Sequence, residues 1–233
     1  MGKVFALCSG CGGVGKSTVA LSLSLYAAKR GKKTILLDAS GAARSCDLML
    51  GMESVVVVDL LDVIRQQASL ASALYRVPEQ ENLQFVCASL YEGVSLNELS
   101  AVILTLRAMA DILVIDLPTG PLKAGPELLD ENDALVMLTR PDDISIRALE
   151  RMMSNTAFIS AQRYLVINRA EPSRAKRKLQ YSANEVEMLL DIPCSCLLYE
   201  DEGFLQGMKK GKLLSSSSLH TRSEFKKLLD QLL

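Results

Sequence analysis

The sequence predicts an α/β fold, a mostly parallel sheet of about seven strands with helices on both faces, in one domain over residues 1–233. Three observations predict it. Short apolar runs alternate with segments of helical periodicity along the whole chain. A glycine-rich loop joins the first run to the first helix. Asp38, Asp116 and Asn168 close their runs at the strand edge where such sheets bind ligands.

Lys3–Ser9 is apolar and ends at glycines, so it reads as a buried strand. Ser17–Arg30 has helical spacing, with Val19, Leu23 and Tyr26 or Ala27 on one face and Gly31 as its stop. Thr34–Leu37 is the second strand, ending at Asp38. Leu60–Gln67 is helical with Asp59 as N-cap. Leu83–Ala88 is the third strand. Leu96–Met109 is a helix opened by the capping box Ser95/Glu98. Ile112–Ile115 is the fourth strand and Leu135–Leu138 the fifth. Ile144–Ile159 reads as a long helix. Tyr164–Ile167 is the sixth strand, Ser182–Leu190 a helix with a Ser-x-x-Glu box, and Cys194–Leu198 the seventh strand. Thr221–Leu233 is the last helix, with Thr221 and Glu224 as its box.

Composition narrows the function. The 233 residues carry 26 Lys+Arg and 27 Asp+Glu, a formal charge of −1, which argues against a globally nucleic-acid-binding protein. With no Trp and 5% aromatics, a base-stacking platform is not expected. Val4–Cys8 lacks the length of a secretory signal, and no run reaches a membrane span. The six cysteines read as reduced cytosolic thiols. Cys194 and Cys196 alternate along a strand and are expected on one side of it. The basic stretch from Arg163 to Lys178 reads as a solvated loop, with an anionic lipid, partner or DNA patch as the alternative.

Gly10-Cys11-Gly12-Gly13-Val14-Gly15-Lys16-Ser17 matches the phosphate-binding pattern G-x-x-x-x-G-K-[ST] in its strand–loop–helix context. Glycines let consecutive N–H groups form an anion nest, and the helix N-terminus adds its dipole. Lys16 supplies charge to the β- and γ-phosphates, and Ser17 a hydroxyl ligand for Mg²⁺. Asp116 ends an apolar strand as a Mg²⁺-holding carboxylate does, and Asp38 can reach the same cation.

Gly12 to Thr18 resembles the deviant Walker A loop of the MinD/ParA ATPases. Asp38-Ala39-Ser40 with Arg44 to Gly51 resembles switch I of the MinD branch, and Asp116 to Gly120 resembles switch II. Val166 to Arg169 resembles the strand whose Asn reads adenine, and Tyr199, Glu200 and Asp201 resemble the loop lining that pocket. The resemblance implies a cytoplasmic ATPase that binds ATP/ADP with Mg²⁺ and dimerises around ATP. It further implies a role in septum placement, with partners of the MinC and MinE type. Nucleotide contacts would come from Gly12, Gly13, Val14, Gly15, Lys16, Ser17, Thr18, Asn168, Arg169, Tyr199, Glu200 and Asp201. Metal contacts would come from Ser17, Asp38 and Asp116.

Two positions depart from the family. Its signature lysine is Cys11 here, and the second acid of its Asp-x-Asp is Ser40. Losing a cation and a water-positioning carboxylate is expected to weaken hydrolysis while leaving binding. Catalytic duty then falls to Lys16 and Asp38, with Asp47 or Arg44 as compensating groups. Three readings stand open: an active ATPase switch, a nucleotide-binding regulatory scaffold without turnover, and a metallochaperone-like relative using its cysteine pairs. The last helix has one apolar face, Phe225, Leu228, Leu229, Leu232 and Leu233, expected to pack on the sheet; membrane contact would be weak or absent.

Overall fold

The computed structural model describes residues 1–41, 44–89, 95–120, 129–154, 160–209 and 216–233. Its strands are β1 (Lys3–Ser9), β2 (Thr34–Asp38), β3 (Tyr75–Arg76), β4 (Leu83–Val86), β5 (Ile112–Asp116), β6 (Ala134–Thr139), β7 (Gln162–Ala170) and β8 (Cys194–Tyr199). They form one sheet in the order β3-β4-β2-β5-β1-β6-β7-β8. Every neighbouring pair is parallel except β3 against β4. The central strand β1 lies at the switch point, between β5 and β6, so the loop after it opens into the ligand edge.

β1 is buried on both faces. Val4, Ala6 and Cys8 join one core, and Phe5 and Leu7 the other. Double burial is why the strands read as continuous apolar runs instead of alternating ones. One face is covered by α1 (Lys16–Lys29) through Val19 and Tyr26. The other carries α5 (Leu96–Met109), α6 (Asp143–Met153) and α8 (Ala183–Leu190). Short helices fill the connections: α2 (Ser45–Leu50), α3 (Leu60–Ile64), α4 (Leu70–Ala73), α7 (Pro172–Lys176) and α9 (Glu202–Lys209). The final helix α10 (Leu219–Leu232) returns to the α1 side.

Several expected boundaries shift. An eighth strand exists because two residues, Tyr75 and Arg76, pair antiparallel with β4; a two-residue bridge leaves no periodicity to read. The third expected strand stops at Val86, and α3 stops at Ile64. The expected helix over 144–159 is seen as Asp143–Met153 with Asp142 as N-cap; residues 155–159 lie outside the described residues. The last helix is capped by Ser218, whose hydroxyl accepts from the Thr221 N–H, so Thr221 is its third residue and not its cap. The boxes at Ser95/Glu98 and Ser182/Glu185 and the N-cap at Asp59 form as expected, and Asp62 completes a further box with Asp59.

Cys194 and Cys196 do not share a face. Leu165 pairs with Cys194 while Val166 pairs with Cys196, so an extra residue is inserted at Ser195. That bulge reverses the alternation: Cys196 joins the core under α10, and Cys194 packs on the opposite one. On α10, Phe225, Leu228, Leu229 and Leu232 are buried in the core, while Leu233 is half exposed. No described helix is long and apolar enough to cross a membrane.

Candidate functional site

The loop from Gly10 to Lys16 is shaped by close packing and by backbone sign. A Cβ on Gly10 would lie 2.1 Å from the Ala148 carbonyl carbon, so Gly10 lets β1 run against α6. Gly13 and Gly15 have φ of 75° and 92°, the left-handed region that glycine tolerates. Space is open where side chains on Gly12 and Gly13 would stand. The loop delivers the chain to α1 with Gly15 as N-cap, no side-chain cap and no acid in the first turn. The first N–H groups of α1 are thus left for an anion.

Lys16 is buried, and its Nζ donates to Asp116 Oδ1 at 2.5 Å and to the Leu117 carbonyl. Asp116 and Asp38 are register partners at the ends of β5 and β2. Both are fully buried, and in each only one oxygen is engaged. Asp38 Oδ1 accepts from the Ser40 N–H (3.0 Å) and Oγ–H (2.6 Å), whereas Asp38 Oδ2 and Asp116 Oδ2 have no hydrogen-bond partner. Burial pushes the Asp38 carboxyl up to about 6, and the charge of Asp116 adds to it; the Ser40 hydrogen bonds and Lys16 oppose. Cys46, on α2, lies with these acids, its ligand atom and theirs all within 4.8 Å of one another. Burial, followed by the two carboxylates, holds its thiol well above the ordinary range.

Two hollows lie beside the loop. The first is lined by the loop, Ser17, Ser40, Ser45 and Thr119. The second is lined by Asn168, Leu198, Tyr199, Glu200, Asp201 and Phe204. Gly15, Thr18 and Arg169 line both, so the two are adjacent. Asn168 Nδ2 donates to the Val14 carbonyl at 2.7 Å, and a Cβ on Gly15 would stand 2.3 Å from that nitrogen. Asn168 therefore touches the phosphate loop as well as the second hollow. Tyr199 stacks on His220 with ring centroids 4.3 Å apart. Asp201 fastens the loop after β8 to α10, accepting from the Ser218 N–H, the Thr221 hydroxyl and the Gly203 N–H.

The remaining expected groups are placed as follows. Cys11 directs its Sγ to the Ser145 hydroxyl, 3.7 Å away, at the rim of the first hollow. Arg44 and Asp47, at the start of α2, form an ion pair at 2.5 Å, and Asp47 also accepts from the Leu48 N–H. Among the described residues, the cations lining the first hollow are Lys16 and Arg169. Two features were not foreseen. One is the thiol of Cys46 beside the acids, which only the fold of α2 brings there. The other is the Asn168–Val14 bond, which joins residues far apart in sequence.

The geometry is that of a P-loop, and the family model described as "ParA: NUBPL iron-transfer P-loop NTPase" matches residues 1–168. The chain belongs to the ParA family of P-loop NTPases. This ParA-family chain is 29% identical over 246 residues to the septum site-determining protein MinD of Helicobacter pylori, covering 100% of the chain and 91% of the relative. Its fold is that of the MinC:MinD cell division protein complex of Aquifex aeolicus, with a TM-score of 0.85, 21% identity, and coverage of 99% of the chain and 95% of that one. It also superposes on the septum site-determining protein MinD complexed with Mg-ADP from Pyrococcus horikoshii, with a TM-score of 0.81, 22% identity, and coverage of 100% and 96%.

Proposed function

We propose that this ParA-family chain is a MinD-like switch, a single domain that binds Mg·ATP, dimerises around it and acts in division-site placement, with slow hydrolysis. The observation that carries the reading is the adjacency of two hollows that share Gly15, Thr18 and Arg169, one lined by an uncapped helix N-terminus and Lys16, the other by Asn168 and Tyr199. That shape suits a nucleotide, with phosphates at the loop and the base at the ends of β7 and β8. The MinD character is supported by likeness along the whole chain.

The residues fit Mg²⁺ with phosphate. Ser17 offers a hydroxyl at the first turn of α1, and the buried Asp38 and Asp116 each offer an oxygen with no other partner. The ion would neutralise charge building on the transferring phosphoryl group. The chain's own part is to bind and orient. Gly12, Gly13, Val14 and Gly15 present N–H groups, and Lys16 can leave Asp116 for the β- and γ-oxygens. Thr18, whose hydroxyl reaches Met49 Sδ at 3.8 Å, links α1 to switch I. Asn168 and Tyr199 hold the base, while Arg169, paired with Glu200 at 3.6 Å, stands where the hollows join; Asp201 sets the loop.

Slow turnover follows from what stands at two positions. Cys11 carries no charge for a partner's phosphates. Ser40 uses its hydroxyl and N–H on Asp38 and presents no carboxylate to a water. Arg44 and Asp47 serve each other, and they can replace the missing pair only if that bond opens. The same facts support a second reading, a nucleotide-binding regulatory module without turnover. The iron-transfer chemistry in the family description finds no support in Cys194 and Cys196, which lie on opposite faces of the sheet.

Partners of the MinC and MinE type belong to this proposal, as does a cytoplasmic location. Membrane contact through α10 would be weak, because its apolar face is spent on the core. The test is Mg·ATP binding, turnover and dimerisation measured together, with and without lipid vesicles. ATP-dependent dimers with slow turnover support the switch. No ATP binding overturns it, and tight binding with no turnover under any condition selects the regulatory module.

A further inference from the structure

We infer that Asp38, Asp116 and Cys46 form a site for a borderline-soft divalent cation of the Zn²⁺ type, with the thiolate of Cys46 as the selecting ligand. The site concerns the nucleotide-free chain: it shares Asp38 and Asp116 with the Mg²⁺ contacts proposed above, and Cys46 is the donor that sets it apart.

Three observations converge. The donor atoms lie within 4.8 Å of one another, and all three residues are fully buried. Each carboxylate has one oxygen engaged and one free: Lys16 holds Asp116 Oδ1 and Ser40 holds Asp38 Oδ1, leaving both Oδ2 atoms without partners. Orphaned buried carboxylate oxygens are costly, and a cation is the ligand that satisfies two at once. Lys16 and Ser40 then act as the outer groups that orient the ligands.

Charge and softness decide the ion. Two carboxylates against one ammonium leave a buried excess of one negative charge. A divalent cation with a thiolate brings the cluster to neutrality. On binding, the S–H bond of Cys46 breaks, its proton passes to solvent and a sulfur–metal bond forms; no electrons are transferred. Mg²⁺ takes oxygen ligands and gains nothing from sulfur, whereas thiolate with carboxylate suits Zn²⁺ and Co²⁺. Ser40, two residues after Asp38, and Ser45, next to Cys46, line the first hollow.

The test titrates the full nucleotide-free chain with Co²⁺ and follows absorbance. A sulfur-to-cobalt charge-transfer band that saturates is expected. It should vanish in Cys46→Ser, with Co²⁺ affinity at least about tenfold lower, and persist in Cys11→Ser. A wild type without the band, or a band that survives Cys46→Ser, overturns the site. X-ray absorption of the Zn²⁺-loaded wild type needs no variant: sulfur near about 2.3 Å with oxygens at about 2.0–2.2 Å is expected, and a shell of nitrogen and oxygen alone overturns the inference. Mg·ATP binding on the same preparations separates the two claims. Intact ATP binding with no band defeats only the metal site, and an intact band without ATP binding defeats only the nucleotide site.

Discussion

Replacing Asn168 by Ala removes the 2.7 Å bond from its Nδ2 to the Val14 carbonyl. Val14 is 1% exposed, so water has poor access to that carbonyl. Losing one partner of a buried pair costs about 1–3 kcal/mol. Gly15, at φ 92°, is packed against the same amide, so the loss falls on the loop that offers its N–H groups to phosphate. If nucleotide binding must restore the loop, about 1 kcal/mol weakens phosphate affinity at least about fivefold. An amide that only reads the base would leave phosphate binding alone. The discriminating assay is calorimetry with inorganic triphosphate, ATP and GTP, each with Mg²⁺. Asn168→Ala should weaken all three, with ATP losing more than GTP. Unchanged triphosphate affinity would refute the coupling of base pocket and phosphate loop.

Other consequences follow from the same geometry. The double variant Cys11→Lys with Ser40→Asp should hydrolyse ATP at least about tenfold faster than the parent, about 1.4 kcal/mol of barrier, and dimerise more tightly with ATP; steady-state turnover and sedimentation check both. Asp201→Ala frees the Ser218 N–H, the Thr221 hydroxyl and the Gly203 N–H, and should lower stability by about 1–3 kcal/mol in urea denaturation. The Asp38 carboxyl titrates near 6 in the folded chain against an ordinary 3.8, so the folded state takes up a proton that the unfolded chain releases. Its cost is fully present above about pH 6 and relieved as pH falls toward 4. Relative to Asp38→Asn, wild-type stability should therefore rise on acidification, by at most about 3 kcal/mol at about 1.4 kcal/mol per pH unit. A pH-independent difference between the two would contradict the burial argument.

The architecture was legible because its physics is local or nearly so. Strands buried on both faces read as apolar runs, and boxes such as Ser95/Glu98 and Ser182/Glu185 mark helix starts through contacts three residues apart. The loop from Gly10 to Ser17 is likewise local, and its residues meet where its spacing requires. What stayed hidden depends on tertiary placement. Tyr75–Arg76 is a strand only because β4 offers an edge. The bulge at Ser195 reverses a two-residue alternation that nothing in Cys194-Ser195-Cys196 betrays. Ser218 displaces Thr221 as cap because Asp201 holds both its N–H and the Thr221 hydroxyl from across the chain. At the site, the strand ends pointed to Asp38, Asp116 and Asn168 and the resemblance gave Asn168 its adenine role, but the free Oδ2 atoms, the Cys46 thiol and the Val14 bond exist only once β2, β5, β7 and α2 are assembled.

The central claim is that Lys16 leaves Asp116 to hold the phosphates of a bound nucleotide. Calorimetric titration of Mg·ATP into the wild type and Lys16→Ala tests it directly. The account predicts saturable binding to the wild type and a loss of at least about tenfold, roughly 1.4 kcal/mol, in a Lys16→Ala variant that remains folded. Equal affinity in the two proteins would contradict it.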